Sequence, residues 1–217
     1  MIYFHDQLTH CAKKPMFFRP LVLFCLGLIL AGCTTTPPKN AESICAIFAE
    51  KDDWYDEARA SFKKWGTPIP HLMAIVYQES SYRAKIRPPR KRILGFIPGP
   101  RPSSAYGYSQ ATDPTWDEYR RSTGNRGADR DDWEDTMDFV GWYNQRSYRR
   151  NAIAKHDVYR QYLAYHEGHG GYARGSYRSK KWLQSVARRV EGRAKRYASQ
   201  LQHCEKALQD KGWWIFG

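Results

Sequence analysis

The chain has 217 residues and carries 35 lysines and arginines against 22 acidic residues, which gives a formal net charge of +13 at pH 7. This length corresponds to about one domain rather than several. So large a positive balance favours an acidic partner and argues against a basic one. Nucleic acid, anionic cell wall and lipid head groups all satisfy that condition, and the charge alone does not choose among them.

The first segment in chain order is typical of a targeting signal. Lys13, Lys14 and Arg19 precede an apolar run over residues 21–30, and small residues follow the run. This is the layout of a secretory signal peptide. The run is shorter than the ~20 residues that an ordinary membrane-spanning helix needs. A short membrane anchor that stays attached to the protein is the alternative.

The end of this segment, Leu30-Ala31-Gly32-Cys33, resembles the bacterial lipobox, in which the cysteine is lipidated and begins the mature protein. The resemblance implies a signal peptide over residues 1–32, lipidation of Cys33 and a polar tether over residues 33–40. Because Thr34 rather than Asp follows the cysteine, it also implies a place on the periplasmic face of the outer membrane. A protein there meets little nucleic acid, so cell wall or lipid becomes the expected acidic partner.

The five cysteines separate by compartment. Cys11 and Cys25 lie in the predicted signal, and Cys33 is the predicted lipid attachment site. Cys45 and Cys204 remain, an even pair in an oxidising compartment, and each lies in a helical pattern near one end of the mature chain. We therefore expect a disulfide that joins the first long helix to the last. Two buried free thiols are the alternative.

Helical patterns dominate the mature chain, over residues of about 41–65, 70–80, 114–122, 131–149, 158–167 and 183–204. Between the second and third of them, residues 82–104 hold five prolines and a cluster of basic residues, so this segment is predicted to be a long functional loop or flap. A small β-hairpin is compatible with that loop. The predicted fold class is mainly α, with one domain over residues 41–210 and an aromatic tail over residues 211–217.

Glu79 stands out because it shares a helix face with aliphatic residues. Leu72, Ile75, Val76 and Glu79 fall at the spacing i, i+3, i+4 and i+7. A carboxyl group on a buried face is desolvated, which raises its pKa, and a carboxyl that keeps its proton near neutral pH can act as a general acid. A buried glutamate paired with one of the many arginines is the alternative.

Three segments point together to one family: Gln78-Glu79-Ser80, Gly107-Tyr108-Ser109-Gln110 and Ala164-Tyr165-His166-Glu167-Gly168. In this order and at these separations they resemble the Slt-type lytic transglycosylases and their goose-type lysozyme relatives, over residues of about 66–175. The resemblance implies a lysozyme-like helical domain and peptidoglycan glycan strands as the substrate.

The resemblance also implies roles for individual residues. Glu79 matches the catalytic acid/base, Ser80 a residue that hydrogen-bonds near it, and Tyr165 the tyrosine whose hydroxyl holds the catalytic carboxyl. The implied substrate-binding residues are Gly107, Tyr108, Gln110 and His166. His166 stands where the family has Asn, and Tyr108-Ser109 replaces an apolar pair.

These motifs contain one candidate acid, whereas hydrolysis of a glycosidic bond normally uses two carboxyl groups. Asp113, Asp117 and Glu118 follow the second motif but suit helix ends and surface faces. The resemblance therefore implies cleavage without water, which leaves a 1,6-anhydro-N-acetylmuramic acid end. A hydrolytic muramidase and a non-catalytic peptidoglycan-binding lipoprotein are the alternatives. No metal or other cofactor is expected, because the run from His166 to His169 lacks the H-E-x-x-H spacing of a zinc helix.

Overall fold

The computed structural model describes residues 36–211, the last of them by its backbone only. The predicted signal peptide, Cys33 and the aromatic tail beyond Lys211 lie outside the described residues. The described chain forms the helices α1 (Ile44–Glu50), α2 (Trp54–Trp65), α3 (Ile69–Ser80), α4 (Asp113–Thr123), α5 (Trp133–Asn151), α6 (Val158–Ala173) and α7 (Lys181–Lys211). A 3-10 helix spans Ser176–Ser179, and two short antiparallel strands, β1 (Arg92–Ile93) and β2 (Ile97–Pro98), form a hairpin. The predicted mainly α, lysozyme-like class with a small hairpin in the long loop is confirmed.

Helix α3 lies at the centre of the hydrophobic core. Five consecutive residues, Leu72 to Val76, are completely buried, as expected for a helix that is surrounded by other elements on all sides. Helix α7 packs against α3 and α6, while α2 packs against α5. The last contact is close because Gly141 faces α2, where a Cβ would collide with Ser61 and Trp65.

The prediction of one helix over residues 41–65 is wrong, because the chain turns between α1 and α2. Helix α1 begins after Ser43, whose side chain accepts a hydrogen bond from the Ala46 backbone N–H at 3.3 Å. It ends at Glu50, and α2 starts only at Trp54. The apolar residues on both sides of the turn are buried, so the break directs two apolar faces toward the same core.

The predicted disulfide between Cys45 and Cys204 is confirmed. It joins α1 to α7, with the two Cα atoms 6.0 Å apart. The two helices are also connected by hydrogen bonds between Gln200 and the start of α1, including the Ile44 backbone N–H to the Gln200 side chain at 3.0 Å. In the part of the chain that the structure describes, no helix has both the length and the hydropathy needed to cross a membrane.

Helix α6 extends further than predicted. The sequence pattern predicts its end at about residue 167, but the helix continues to Ala173 across a kink at Gly168, where φ is 73° and ψ is 156°. A residue with a side chain rarely adopts such a positive φ, so glycine permits this kink. The kink lies at the last residue of the third motif, and Gly168 lines the cleft described next.

Candidate active site

A cleft of about 510 Å³ opens between the end of α3, the segment before α4, and helices α5 and α6. Its lining residues are Glu79, Ser103, Ala105, Gln110, Ala111, Thr112, Thr115, Phe139, Tyr143, Tyr165, His166, Glu167 and Gly168. Residues of all three sequence motifs therefore meet in one cavity. Two of the lining side chains are carboxylic acids, and the walls beside them are aromatic.

Glu79 lies in the last turn of α3, and its side chain is partly buried at the floor of this cleft. Burial raises the pKa of Glu79 from 4.5 to about 7, and hydrogen bonding from Tyr162 acts in the opposite direction. Within the described residues, Glu79 makes no ion pair, which argues against the alternative of a glutamate neutralised by arginine. A carboxyl in this setting holds its proton close to neutral pH.

The tyrosine that interacts with this carboxyl differs from the one predicted. The Tyr165 hydroxyl donates a hydrogen bond to the Ser109 backbone carbonyl at 2.7 Å, so its proton does not hold Glu79. Tyr162, one helical turn earlier on α6, is the tyrosine whose side chain interacts with the Glu79 carboxyl and lowers its pKa. Burial, together with the neighbouring Glu79, raises the pKa of both tyrosines, so both hydroxyls stay protonated at neutral pH.

The turn of the second motif depends on Gly107. Its φ is +78°, and a Cβ at this position would collide with the backbone carbonyl of Arg130, which accepts a hydrogen bond from the Tyr108 N–H at 3.0 Å. The Gln110 side chain lines the cleft, but its amide group donates to the carbonyls of Gly107 at 2.8 Å and Ile86 at 3.1 Å. Gln110 therefore braces the turn and leaves its Oε1 atom for a ligand.

The structure corrects the roles predicted for Tyr108 and Ser80. The Tyr108 side chain is only 3% exposed and its ring packs edge-on against Trp54 and Trp133, so it belongs to the core and does not face a glycan. The Ser80 hydroxyl donates to the Val76 carbonyl of its own helix at 3.1 Å rather than to the cleft. Both side chains are buried behind the cleft wall and do not line the cleft.

His166 and Glu167 occupy the rim of the cleft. The His166 ring is exposed, packs edge-on against Trp182, and has its Nδ1 atom 3.1 Å from Glu167. Glu167 is held by the Lys180 ammonium group at 2.8 and 2.9 Å and by the Ser176 hydroxyl. Burial alone would raise the pKa of Glu167, but these hydrogen bonds lower it to about 2.

Sequence reasoning missed the aromatic and acidic lining residues Phe139, Tyr143 and Glu167. It also missed Tyr162, which interacts with Glu79 without lining the cleft. Tyr162 could have been found, because it lies three residues before Tyr165 and so on the same face of α6. Phe139 and Tyr143 come from a helix without a motif, and no sequence signal distinguishes them from core residues. In the described part of the chain, no group of three His, Cys, Asp or Glu side chains is arranged to hold a metal ion.

The comparisons with known proteins agree with this geometry. The sequence model of the family described as Transglycosylase SLT domain matches residues 21–204. No curated protein and no solved structure gives a significant match to the chain. The family match covers most of the chain and every described element that lines the cleft, so the chain belongs to the family of transglycosylase SLT domains and is a lytic transglycosylase of peptidoglycan.

Proposed function

We propose that Glu79 is the single acid/base of this transglycosylase, and that the enzyme cleaves the bond between N-acetylmuramic acid and N-acetylglucosamine to leave a 1,6-anhydro end. The observation that carries the proposal is the position of Glu79, a carboxyl without an ion-pair partner among the described residues, in the cleft where all three motifs meet. Burial raises its pKa to about 7. At neutral pH such a group is present in both its protonated and its ionised form, whereas a carboxyl at the ordinary pKa of 4.5 is almost entirely ionised. One group can therefore serve as an acid and then as a base.

The second carboxyl of the cleft supports a single-acid reaction. Both Glu167 oxygens are bound by Lys180, and the low pKa keeps this side chain ionised, so it cannot donate a proton. Its oxygens are also occupied and cannot readily activate a water molecule. The hydrolytic alternative needs a free second carboxylate in the cleft, and the described lining residues offer none besides Glu167 and Glu79.

The proposed reaction has two steps. In the first, Glu79 protonates the glycosidic oxygen, the bond from that oxygen to C1 of N-acetylmuramic acid breaks, and the sugar's own N-acetyl oxygen bonds to C1. In the second, the Glu79 carboxylate removes the proton of the C6 hydroxyl, whose oxygen displaces the N-acetyl oxygen at C1. Glu79 regains its proton and no water is consumed.

Product analysis tests this proposal. The purified protein is incubated with peptidoglycan, and the released muropeptides are identified by mass spectrometry. We expect anhydro-muramyl products, each lighter by one water molecule than the hydrolysis product. Reducing muramyl ends would contradict the single-acid route and indicate a muramidase. Binding to the wall without release would favour a non-catalytic wall-binding protein.

Glu79→Gln tests the assigned residue separately. The substitution keeps the size of the side chain but removes its proton, so turnover should fall by a factor on the order of 10²–10⁴, the usual contribution of general acid catalysis. Glu57→Gln is a matched control, because Glu57 is another partly buried glutamate with a raised pKa, and it does not line the cleft. Unchanged cleavage by Glu79→Gln would refute the role given to this residue.

We also propose that the enzyme is lipid-anchored at Cys33 on the periplasmic face of the outer membrane. The support is the sequence pattern of residues 30–33 and a peptidoglycan substrate that lies in the same compartment. Growth with a labelled fatty acid should label the protein, and Cys33→Ser should remove the label. A protein that stays unlabelled and fractionates as a free periplasmic protein would contradict the anchor.

A further inference from the structure

The long loop between α3 and α4 carries an exposed apolar tip. Residues 90–100, which we call the basic hairpin, contain strands β1 and β2, and their apolar side chains point away from the core. The exposed fractions are 50% for Ile93, 78% for Leu94, 74% for Phe96 and 43% for Ile97. These are four of the seven exposed large hydrophobic residues in the described chain. Such a concentration of exposed apolar side chains is typical of an interaction site.

The same loop is strongly and exclusively basic. Residues 83–101 contain the exposed side chains of Arg83, Lys85, Arg87, Arg90, Lys91, Arg92 and Arg101, and no acidic residue. None of these seven makes an ion pair within the described residues. Their positive charge is therefore available to a partner that is itself anionic.

The hairpin is supported at its base rather than loose. The Lys91 N–H donates to the Pro100 carbonyl at 3.2 Å, and the Gly99 N–H donates to the Lys91 carbonyl at 2.7 Å. Below it, the Arg87 guanidinium stacks 3.9 Å from the centre of the Tyr106 ring. In the hairpin register Ile93 pairs with Ile97, so these two side chains lie on one face next to the tip residues Leu94 and Phe96.

We propose that the basic hairpin docks on an anionic lipid bilayer, with Leu94 and Phe96 entering the boundary of the hydrocarbon and the surrounding basic side chains binding lipid phosphates. An anionic bilayer has negative charge at its surface and a hydrocarbon interior beneath it. The loop matches both, because its apolar side chains are at the tip and its basic side chains surround them. A glycan strand would meet the charges but offers no apolar depth to Leu94 or Ile93. A second copy of the hairpin would place like charges together.

Docking would also orient the cleft. The Ile86 carbonyl, at the root of the loop, accepts hydrogen bonds from the Gln110 amide and the Gly107 N–H, both at 3.1 Å. The loop that carries the hairpin is thus hydrogen-bonded to the turn of the second motif, so a docked hairpin would fix the orientation of the cleft relative to the bilayer surface. This inference depends neither on the role of Glu79 nor on lipidation of Cys33.

A position-specific probe on the full chain tests the proposal. Leu94→Cys is labelled with an environment-sensitive fluorophore, and the chain is reconstituted in vesicles with or without phosphatidylglycerol. Ser199→Cys, at an exposed position on α7, is the control, and the chain without an added cysteine gives the background. We expect a blue shift and quenching by spin-labelled lipids at position 94 in anionic vesicles only, with neither change at position 199.

A charge variant sharpens the test. Replacing Arg90, Lys91 and Arg92 by Gln should lower the ratio of docked to undocked hairpin about 100-fold, since each basic residue near an anionic surface contributes roughly a factor of five. Its circular dichroism and melting temperature should not change. A label at position 94 that stays in water on anionic vesicles would overturn the proposal. So would a response only to purified cell wall, or one that depends on protein concentration without lipid.

Discussion

The pKa of Glu79 predicts that this residue destabilises the folded protein above neutral pH. Its pKa rises from 4.5 to about 7 on folding, because burial disfavours the charged form. The folded state therefore binds the proton more tightly than the unfolded state. Stability is fully present below about pH 4.5, falls as the pH rises through about 7, and stays reduced at higher pH.

Glu79→Gln removes this penalty, because glutamine cannot ionise. A shift from 4.5 to about 7 corresponds to about 3 kcal/mol. This value is an upper bound, because the carboxyl borders an open cleft. We expect Glu79→Gln to equal the wild type in free energy of unfolding at about pH 4 and to exceed it by up to about 3 kcal/mol at about pH 9. Urea unfolding at the two pH values measures the difference.

Glu57→Gln provides the control for this measurement. Burial and the nearby carboxylates, chiefly Asp132 and Asp53, raise the pKa of Glu57 to about 8, and its Oε2 atom is buried without a hydrogen-bond partner. Its substitution should also stabilise the protein at about pH 9 but leave turnover unchanged. If Glu79→Gln gives no stabilisation at this pH while Glu57→Gln does, the Glu79 carboxyl is not desolvated and the reasoning from burial fails.

Three further predictions follow from the described contacts. Tyr162→Phe removes a hydrogen bond that lowers the pKa of Glu79, so the pH–rate profile should move to higher pH; an unmoved profile would contradict this contact. Gly107→Ala should cost about 2 kcal/mol or more, because it adds a collision with the Arg130 carbonyl to the strain of a positive φ. Gly124→Ala, where φ is +77° and the space around an added Cβ is open, should lose only the free energy of backbone strain. Equal losses of unfolding free energy for the two variants, measured in urea, would exclude the collision. Reduction of the disulfide, which links residues 159 positions apart, should lower the free energy of unfolding by up to about 5 kcal/mol, and an unchanged melting temperature with reductant would refute this.

Periodicity and compartment predicted the parts of the fold that depend on local pattern. The helical class follows from the spacing of apolar residues, and the disulfide follows from an even cysteine pair in an oxidising compartment. The break between α1 and α2 was missed because the helical pattern continues through Lys51 to Asp53. Only the packing of the apolar residues on both sides of that turn determines where the chain changes direction.

Long-range packing also explains the errors within the candidate site. Tyr108 lies two and three residues before the cleft residues Gln110 and Ala111. A stacked pair formed by Trp54 and Trp133, with ring centres 3.5 Å apart, nevertheless provides its ring with a buried position. These three aromatic residues come from separate parts of the chain. A motif read along the sequence places Tyr108 in the right turn but cannot say which side of that turn its ring occupies.

The contact with Glu79 was predicted for Tyr165 but is made by Tyr162, and this difference also depends on long-range packing. The two residues lie on one face of α6, separated by about 4.5 Å along the helix axis. Which hydroxyl meets Glu79 depends on where α6 lies against α3, and on whether another acceptor is closer. The turn that Gly107 permits brings the Ser109 carbonyl to the Tyr165 hydroxyl, so Tyr162 remains for Glu79. The two Phe variants should therefore have different effects. Tyr165→Phe removes the hydrogen bond to the Ser109 carbonyl in the turn, whereas Tyr162→Phe raises the pKa of Glu79.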